Sequence, residues 1–373
     1  MISIEDLLRY MVEKGGSDLH ISAGARPKVR LDGLLHDTEF GALDAEACRQ
    51  LVYSILSTEQ ISKLEKELEL DLSFGVKGLG RFRTNVFHQR GTVAGAFRMI
   101  PYEVRGFEEL GLPAGVCQSM LNRHKGLILV TGATGSGKST TLAAMVKYLN
   151  ENTKGHIVTI EDPIEFLHRN ENALFTQREV GTDTLGFKPA LRSILRQDPD
   201  VILIGEMRDV ETIEAALTLS ETGHLTLATL HTNDAVQTIN RIIDVFPQFK
   251  QQQIRAQLSF TLLGVFCQQL LPRAHGSGRV LSAEVMLANS AVRSLIREGK
   301  VHQIASIIQT GRKYGMKTMN QSLIDLYRDG QVDIETALSH SMDPEDLKRN
   351  LQIRTRRGVT AGSNDFGNGG MAR

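Results

Sequence analysis

The run Gly132-Ala133-Thr134-Gly135-Ser136-Gly137-Lys138-Ser139-Thr140 constrains this chain more than any other stretch. It fits the phosphate-binding pattern G-x-x-x-x-G-K-[ST], and its flanks are the ones that pattern needs. Leu127-Ile128-Leu129-Val130 before it is an apolar run of strand length, while Leu142, Met145, Val146 and Leu149 after it recur at helical spacing. The order strand, glycine loop, helix aims successive backbone N–H groups and a helix N-terminus at one anion. Lys138 then reaches the β- and γ-phosphates of a nucleotide, Ser139 is set to ligate a magnesium ion bridging them, and Thr140 lies near the inner phosphates.

The 373 residues suffice for two domains with separate cores, and 41% hydrophobic with 23% charged residues is ordinary for a globular protein. Lysines plus arginines equal aspartates plus glutamates at 43 each, so no global basic field draws the chain to nucleic acid. Cys48, Cys117 and Cys267 are far apart and form no C-x-x-C pair, which argues against a disulfide framework or a cysteine zinc site. The start lacks the layout of an export signal, and the apolar stretch Leu258 to Leu271 is interrupted by Gln268 and Gln269 and too short to span a bilayer. A cytoplasmic protein is expected.

Residues 1–100 read as a small α+β domain. Ser3 and Asp6 start a helix with Ile4, Leu7, Leu8, Met11 and Val12 on one face; Asp18 to Ile21 and Lys28 to Leu31 read as a β-ribbon. Two helices follow, marked by Ala47, Leu51, Val52 and Ile55, then by Ile61, Leu64 and Leu68, before strands return from Asp71 to Arg98. In Arg81-Phe82-Arg83-Thr84-Asn85-Val86-Phe87, alternation puts Arg81, Arg83 and Asn85 on one face and Phe82, Thr84 and Val86 on the other, with Arg98 beside them. These arginines are either a solvated basic face or a set that reaches a nucleotide phosphate across a subunit boundary. Residues 101–113 read as a linker.

After the glycine loop, strands and helices alternate, which predicts a mostly parallel sheet covered by helices over residues 114–350. His156 to Ile160 runs into Glu161-Asp162-Pro163-Ile164-Glu165, so several carboxylates arrive at the sheet edge that carries the phosphate loop. Val201 to Ile204 runs into Gly205-Glu206, with Arg208 and Asp209 next as a local ion pair. Glu206 and Glu165 compete for the handling of the attacking water. His231 ends the strand begun near His224 and would sense the γ-phosphate. Farther on, Ile254, Leu258 and Leu262 mark a helix, and Cys267 to Leu271 pairs with Val280 to Leu287. Residues 351–373 read as a disordered tail.

The set Gly132 to Thr140, Glu161 to Glu165, Gly205 to Asp209 and His224 to His231 resembles the Walker A, Asp box, Walker B and His box of the secretion ATPase superfamily. Ala291 to Lys300 resembles the A-I-R-N-L-I-R-E-G-K signature of the type IV pilus retraction ATPases, with Val292 and Ser294 departing from it as an accessory retraction paralogue would also allow. The further N-terminal domain and tetracysteine motif usual in pilus extension ATPases are not expected. The resemblance implies a PAS-like N-terminal domain, a RecA-like P-loop ATPase domain, ATP and Mg2+ as ligands, and a homohexameric ring. It further implies that Arg81, Arg83 and Arg98 close over ATP, and that the Ala291 to Lys300 helix serves retraction rather than hydrolysis. The implied partner is the inner-membrane platform protein at the base of the pilus machinery, reached at the cytoplasmic face of that membrane. A RecA-like nucleic-acid motor and a regulatory nucleotide binder are the alternatives from other classes.

Overall fold

A computed structural model describes residues 2–351 apart from Asp32, Pro101, Tyr102 and Ser277. The expected tail from residue 352 onward therefore lies outside the described residues, as does the start of the expected linker.

The N-terminal lobe begins with the helix Ile4–Glu13, whose Ser3 and Asp6 form the expected reciprocal cap. Six antiparallel strands follow in the spatial order Leu34–Asp37, Lys28–Leu31, Asp18–Ile21, Thr92–Ile100, Gly80–Gln89 and Glu69–Val76. Along Gly80–Gln89, Phe82, Thr84 and Val86 are buried and Arg83 is exposed, as the alternation required. Phe82 and Phe97 pack with Leu7, Leu8 and Met11 into one core. Leu68 departs from the expected helical face: it is the left-handed cap of Thr58–Glu67, with φ 67°, and is exposed.

The larger lobe is a seven-stranded sheet in the order Arg279–Leu287, Leu262–Pro272, Gly126–Thr131, Leu225–Leu230, Val201–Ile204, His156–Glu161 and Leu174–Glu179. Every neighbouring pair is parallel except the first. Gly126–Thr131 is buried along its whole length because helices cover both faces, which is why it reads as an unbroken apolar run. Leu142, Met145, Val146 and Leu149 are buried along Lys138–Asn152, as their spacing predicted. Leu262 belongs to the hairpin strand and not to the helix Gln248–Thr261. Val104, Phe107 and Leu112 are anchored in the core of this lobe, so the stretch expected to link the lobes is packed from Val104 onward.

A group of short helices rests on the hairpin, with Leu323 and Leu347 packed against Leu271 and Val280. Glu284 ties this group inward. Its carboxylate accepts from the backbone N–H of Ala235 at 2.9 Å and of Met319 at 3.4 Å, the first residues of Ala235–Asp244 and Met319–Arg328. Burial pushes the Glu284 carboxyl up to about 7 despite these donors. No helix among the described residues is long and apolar enough to cross a membrane.

Candidate active site

The phosphate loop leaves the buried strand Gly126–Thr131 and enters Lys138–Asn152 through Gly132, Gly135 and Gly137, at φ 141°, 79° and 91°. Residues with a Cβ are strained in those conformations, which accounts for the glycine spacing. A Cβ on Gly132 would lie 2.6 Å from Ser136 Oγ, so the loop also curls too tightly for a side chain there. Lys138 Nζ donates to the carbonyls of Gly132 at 2.8 Å and Ala133 at 3.0 Å. Burial lowers the Lys138 ammonium below its ordinary range, and Glu206 works against that. Ser136 Oγ is buried without a hydrogen-bond partner, a free polar group inside a loop shaped for an anion. Thr134, Ser139 and Thr140 line the same cleft, whose volume is about 950 Å³.

Glu206 stands just past Val201–Ile204 on the floor of this cleft. Its carboxylate meets Arg208 Nη2 at 2.8 Å and His231 Nε2 at 3.2 Å. Burial works to raise its pKa, but the guanidinium and the imidazole outweigh it and hold the carboxyl below the usual range. Arg208 thus pairs with Glu206 and not with Asp209. Asp209 instead caps the helix Val210–Thr222 by accepting from Thr212 N at 2.7 Å. Gly205 is fixed by packing, since a Cβ there would come within 3.2 Å of the Ile160 carbonyl. His224, at the other end of the strand, binds the Leu219 carbonyl through Nδ1 at 3.0 Å, a cap far from the chemistry.

The acids after His156–Glu161 divide. Glu161 points inward, accepting from Thr159 Oγ1 at 2.6 Å and Gln177 Nε2 at 3.2 Å, and burial raises its pKa. Glu165 stays half-exposed on the rim, 3.5 Å from Arg83 Nη1. Arg83 and Arg98 are directly opposite each other on neighbouring strands and both line the cleft. Arg98 donates to Asp18 Oδ1 at 2.7 Å. Arg81 is not brought to this cleft: its Nη2 donates to Ser73 Oγ at 2.6 Å and lies 3.8 Å from Glu179 Oε2.

This combination of loop, acids and facing arginines coincides with what the comparisons find. The family model described as type II/IV secretion system protein matches residues 2–339. The chain belongs to this secretion system family. It is 47% identical over 346 residues to the type IV pilus retraction ATPase PilT of Pseudomonas aeruginosa, covering 93% of this chain and 100% of the relative. It is 41% identical over 352 residues to the type IV pilus ATPase PilU of the same organism, covering 94% and 92%. A crystal structure of the pilus retraction motor PilT with bound ADP superposes with a TM-score of 0.88 at 48% identity, covering 94% of this chain and 100% of that one. The fold is accordingly a RecA-like P-loop domain carrying a smaller N-terminal α+β domain, and the chain is a nucleotide-binding ATPase of the secretion family.

Three residues of this secretion-family ATPase escaped the sequence reading. Arg279 starts the outer hairpin strand, lines the cleft and lies 3.5 Å from the Gly135 carbonyl. Its only sequence signal was charge at the end of an apolar run. Gln268, which interrupts the apolar stretch Leu258 to Leu271, is buried and donates to Thr141 Oγ1 at 2.7 Å, buttressing the phosphate-loop helix. Arg293, within the expected Ala291 to Lys300 helix, is half-buried. Its guanidinium donates to the carbonyls of Ala288, Ser259, Phe260 and Leu262 at 2.7–2.9 Å, closing the end of Gln248–Thr261. Arg297 lies over the Phe260 ring, 5.8 Å from its centroid.

Proposed function

We propose that the chain is a homohexameric motor that hydrolyses ATP to power type IV pilus retraction and twitching motility. The observation that carries this is the meeting, in one cleft, of the phosphate loop with Glu206 and His231 from the large lobe and Arg83 and Arg98 from the small one. A nucleotide gripped by both lobes favours a closed clamp, and loss of its γ-phosphate releases it. Firing in turn around a ring would move a partner in the pore.

In this reading Gly132 to Ser136 and Gly137 wrap the phosphates, Lys138 neutralises them and Thr140 borders the inner ones. Among the described residues, no group of three or more His, Cys, Asp or Glu is placed to hold a metal ion. The donor set suits magnesium, which keeps most of its shell as water and phosphate oxygen and needs only a hard oxygen or two from protein. Ser139 would hold it and Glu206 would meet its shell; the ion supplies charge neutralisation on the phosphates. Glu206, kept ionised and electrostatically coupled to Lys138, is the stronger candidate to polarise the attacking water. Glu165 orders the opposite rim with Arg83, and His231 reports the γ-phosphate to Glu206.

The partner is the inner-membrane platform protein of the pilus machinery, met at the cytoplasmic face of that membrane. The higher identity to PilT than to PilU favours the main retraction motor over the accessory one. Deleting the gene tests this: heavily piliated, non-twitching cells are expected, and normally motile cells refute it.

A further inference from the structure

Glu179 closes the edge strand Leu174–Glu179, directly opposite Glu161, and is 4% exposed. A carboxylate so enclosed persists only where donors saturate it. Here the donors come from both lobes. Ser73 Oγ, on the outer strand of the N-terminal sheet, donates to Glu179 Oε1 at 2.5 Å. Ile164 N, within the acidic segment of the large lobe, donates to Oε2 at 3.3 Å. Thr182 Oγ1 adds a local bond at 3.4 Å. Arg81 supports the bridge by donating to Ser73 Oγ at 2.6 Å while lying 3.8 Å from Oε2.

A cap for the local turn would need only Thr182 and its neighbours. The bonds to Ser73 and Ile164 instead make one carboxylate the joint between the edges of two sheets and the segment bearing Glu165. The N-terminal strand Gly80–Gln89 therefore grips that segment at two points, Arg81 through Glu179 and Arg83 through Glu165. Movement of the small lobe by more than a hydrogen bond's tolerance parts Ser73 from Glu179 and loosens Ile164.

We propose that Glu179 is a positioning residue that ties residues 161–165 to the N-terminal lobe, so that lobe movement resets Glu165 against the phosphate loop. Its effect on turnover rests on the role given above to Glu165; the tie itself does not. The test uses the full-length chain with Ser73→Ala, Glu179→Gln and Glu165→Gln. Amide exchange at Ile164 should rise roughly tenfold in Ser73→Ala and in Glu179→Gln, the value of one hydrogen bond to a charged acceptor, with Lys138–Asn152 unchanged. Ser73 lies in the other lobe, so unaltered exchange at Ile164 in Ser73→Ala overturns the tie even if Glu179→Gln folds poorly. Ser73→Ala should also lower kcat with little change in KM, and should add nothing in the Glu165→Gln background. An equal loss in both backgrounds overturns coupling through the segment. A normal kcat for Glu165→Gln alongside faster Ile164 exchange upholds the tie and refutes only the role of Glu165.

Discussion

Glu284→Gln tests the energetics of the buried joint between the ATPase core and the C-terminal helices. The folded chain holds the Glu284 proton up to about 7, against an ordinary value of 4.5. Its contribution is therefore fully present below the unfolded value and is lost as pH rises through the folded one. That rise amounts to about 3 kcal/mol in full, most of which falls between pH 5 and pH 8. Glutamine is neutral throughout and can still accept from Ala235 N, and titrations of groups that do not feel the Glu284 charge, as Asp234 and Cys267 do, cancel between the two proteins. Urea unfolding at fixed protein concentration, followed by far-ultraviolet circular dichroism because the chain has no tryptophan, gives both stabilities. Wild type minus variant should fall by about 2–3 kcal/mol across that range. Parallel pH profiles would refute the claim that burial keeps this carboxyl protonated.

Lys138→Ala should remove most ATP turnover in a phosphate-release assay; wild-type rates would overturn the site assignment. Glu206→Ala should bind ATP yet turn over at least about a hundredfold more slowly, and failure to bind would assign it a structural role. Arg83→Ala and Arg98→Ala should slow turnover more than Arg81→Ala, whose side chain works through Ser73 and Glu179; equal effects would return all three to one basic face. Arg279→Ala should raise the KM for ATP about tenfold with little change in kcat, as expected for a cation beside the phosphate loop, and an unchanged KM would make it a surface residue.

The phosphate loop, the strands feeding it and the acids beyond them were legible because their chemistry demands particular residue types at fixed spacing. Arg83 and Arg81 looked equivalent because alternation assigns a face, whereas only the packing of the lobes decides that one meets the cleft and the other Glu179. The strand Leu174–Glu179 was missed because an edge strand is only half-covered and Phe-Thr-Gln-Arg carries no apolar run. Arg279 and Arg293 act on segments far from them in the chain, a relation that no local pattern encodes.

The facing pair Arg83 and Arg98 has a thermodynamic corollary. Like charges on opposed cross-strand positions repel, and here each guanidinium already faces a carboxylate, Arg83 meeting Glu165 at 3.5 Å and Arg98 meeting Asp18 at 2.7 Å, the latter shared with Arg30. In the proposed grip, an arriving anion competes with these carboxylates for the arginines, so its net gain is reduced by the attraction it displaces. A grip set by exchange rather than by capture stays shallow. Shallow grips let go quickly, which is what a device that must reset on every cycle requires.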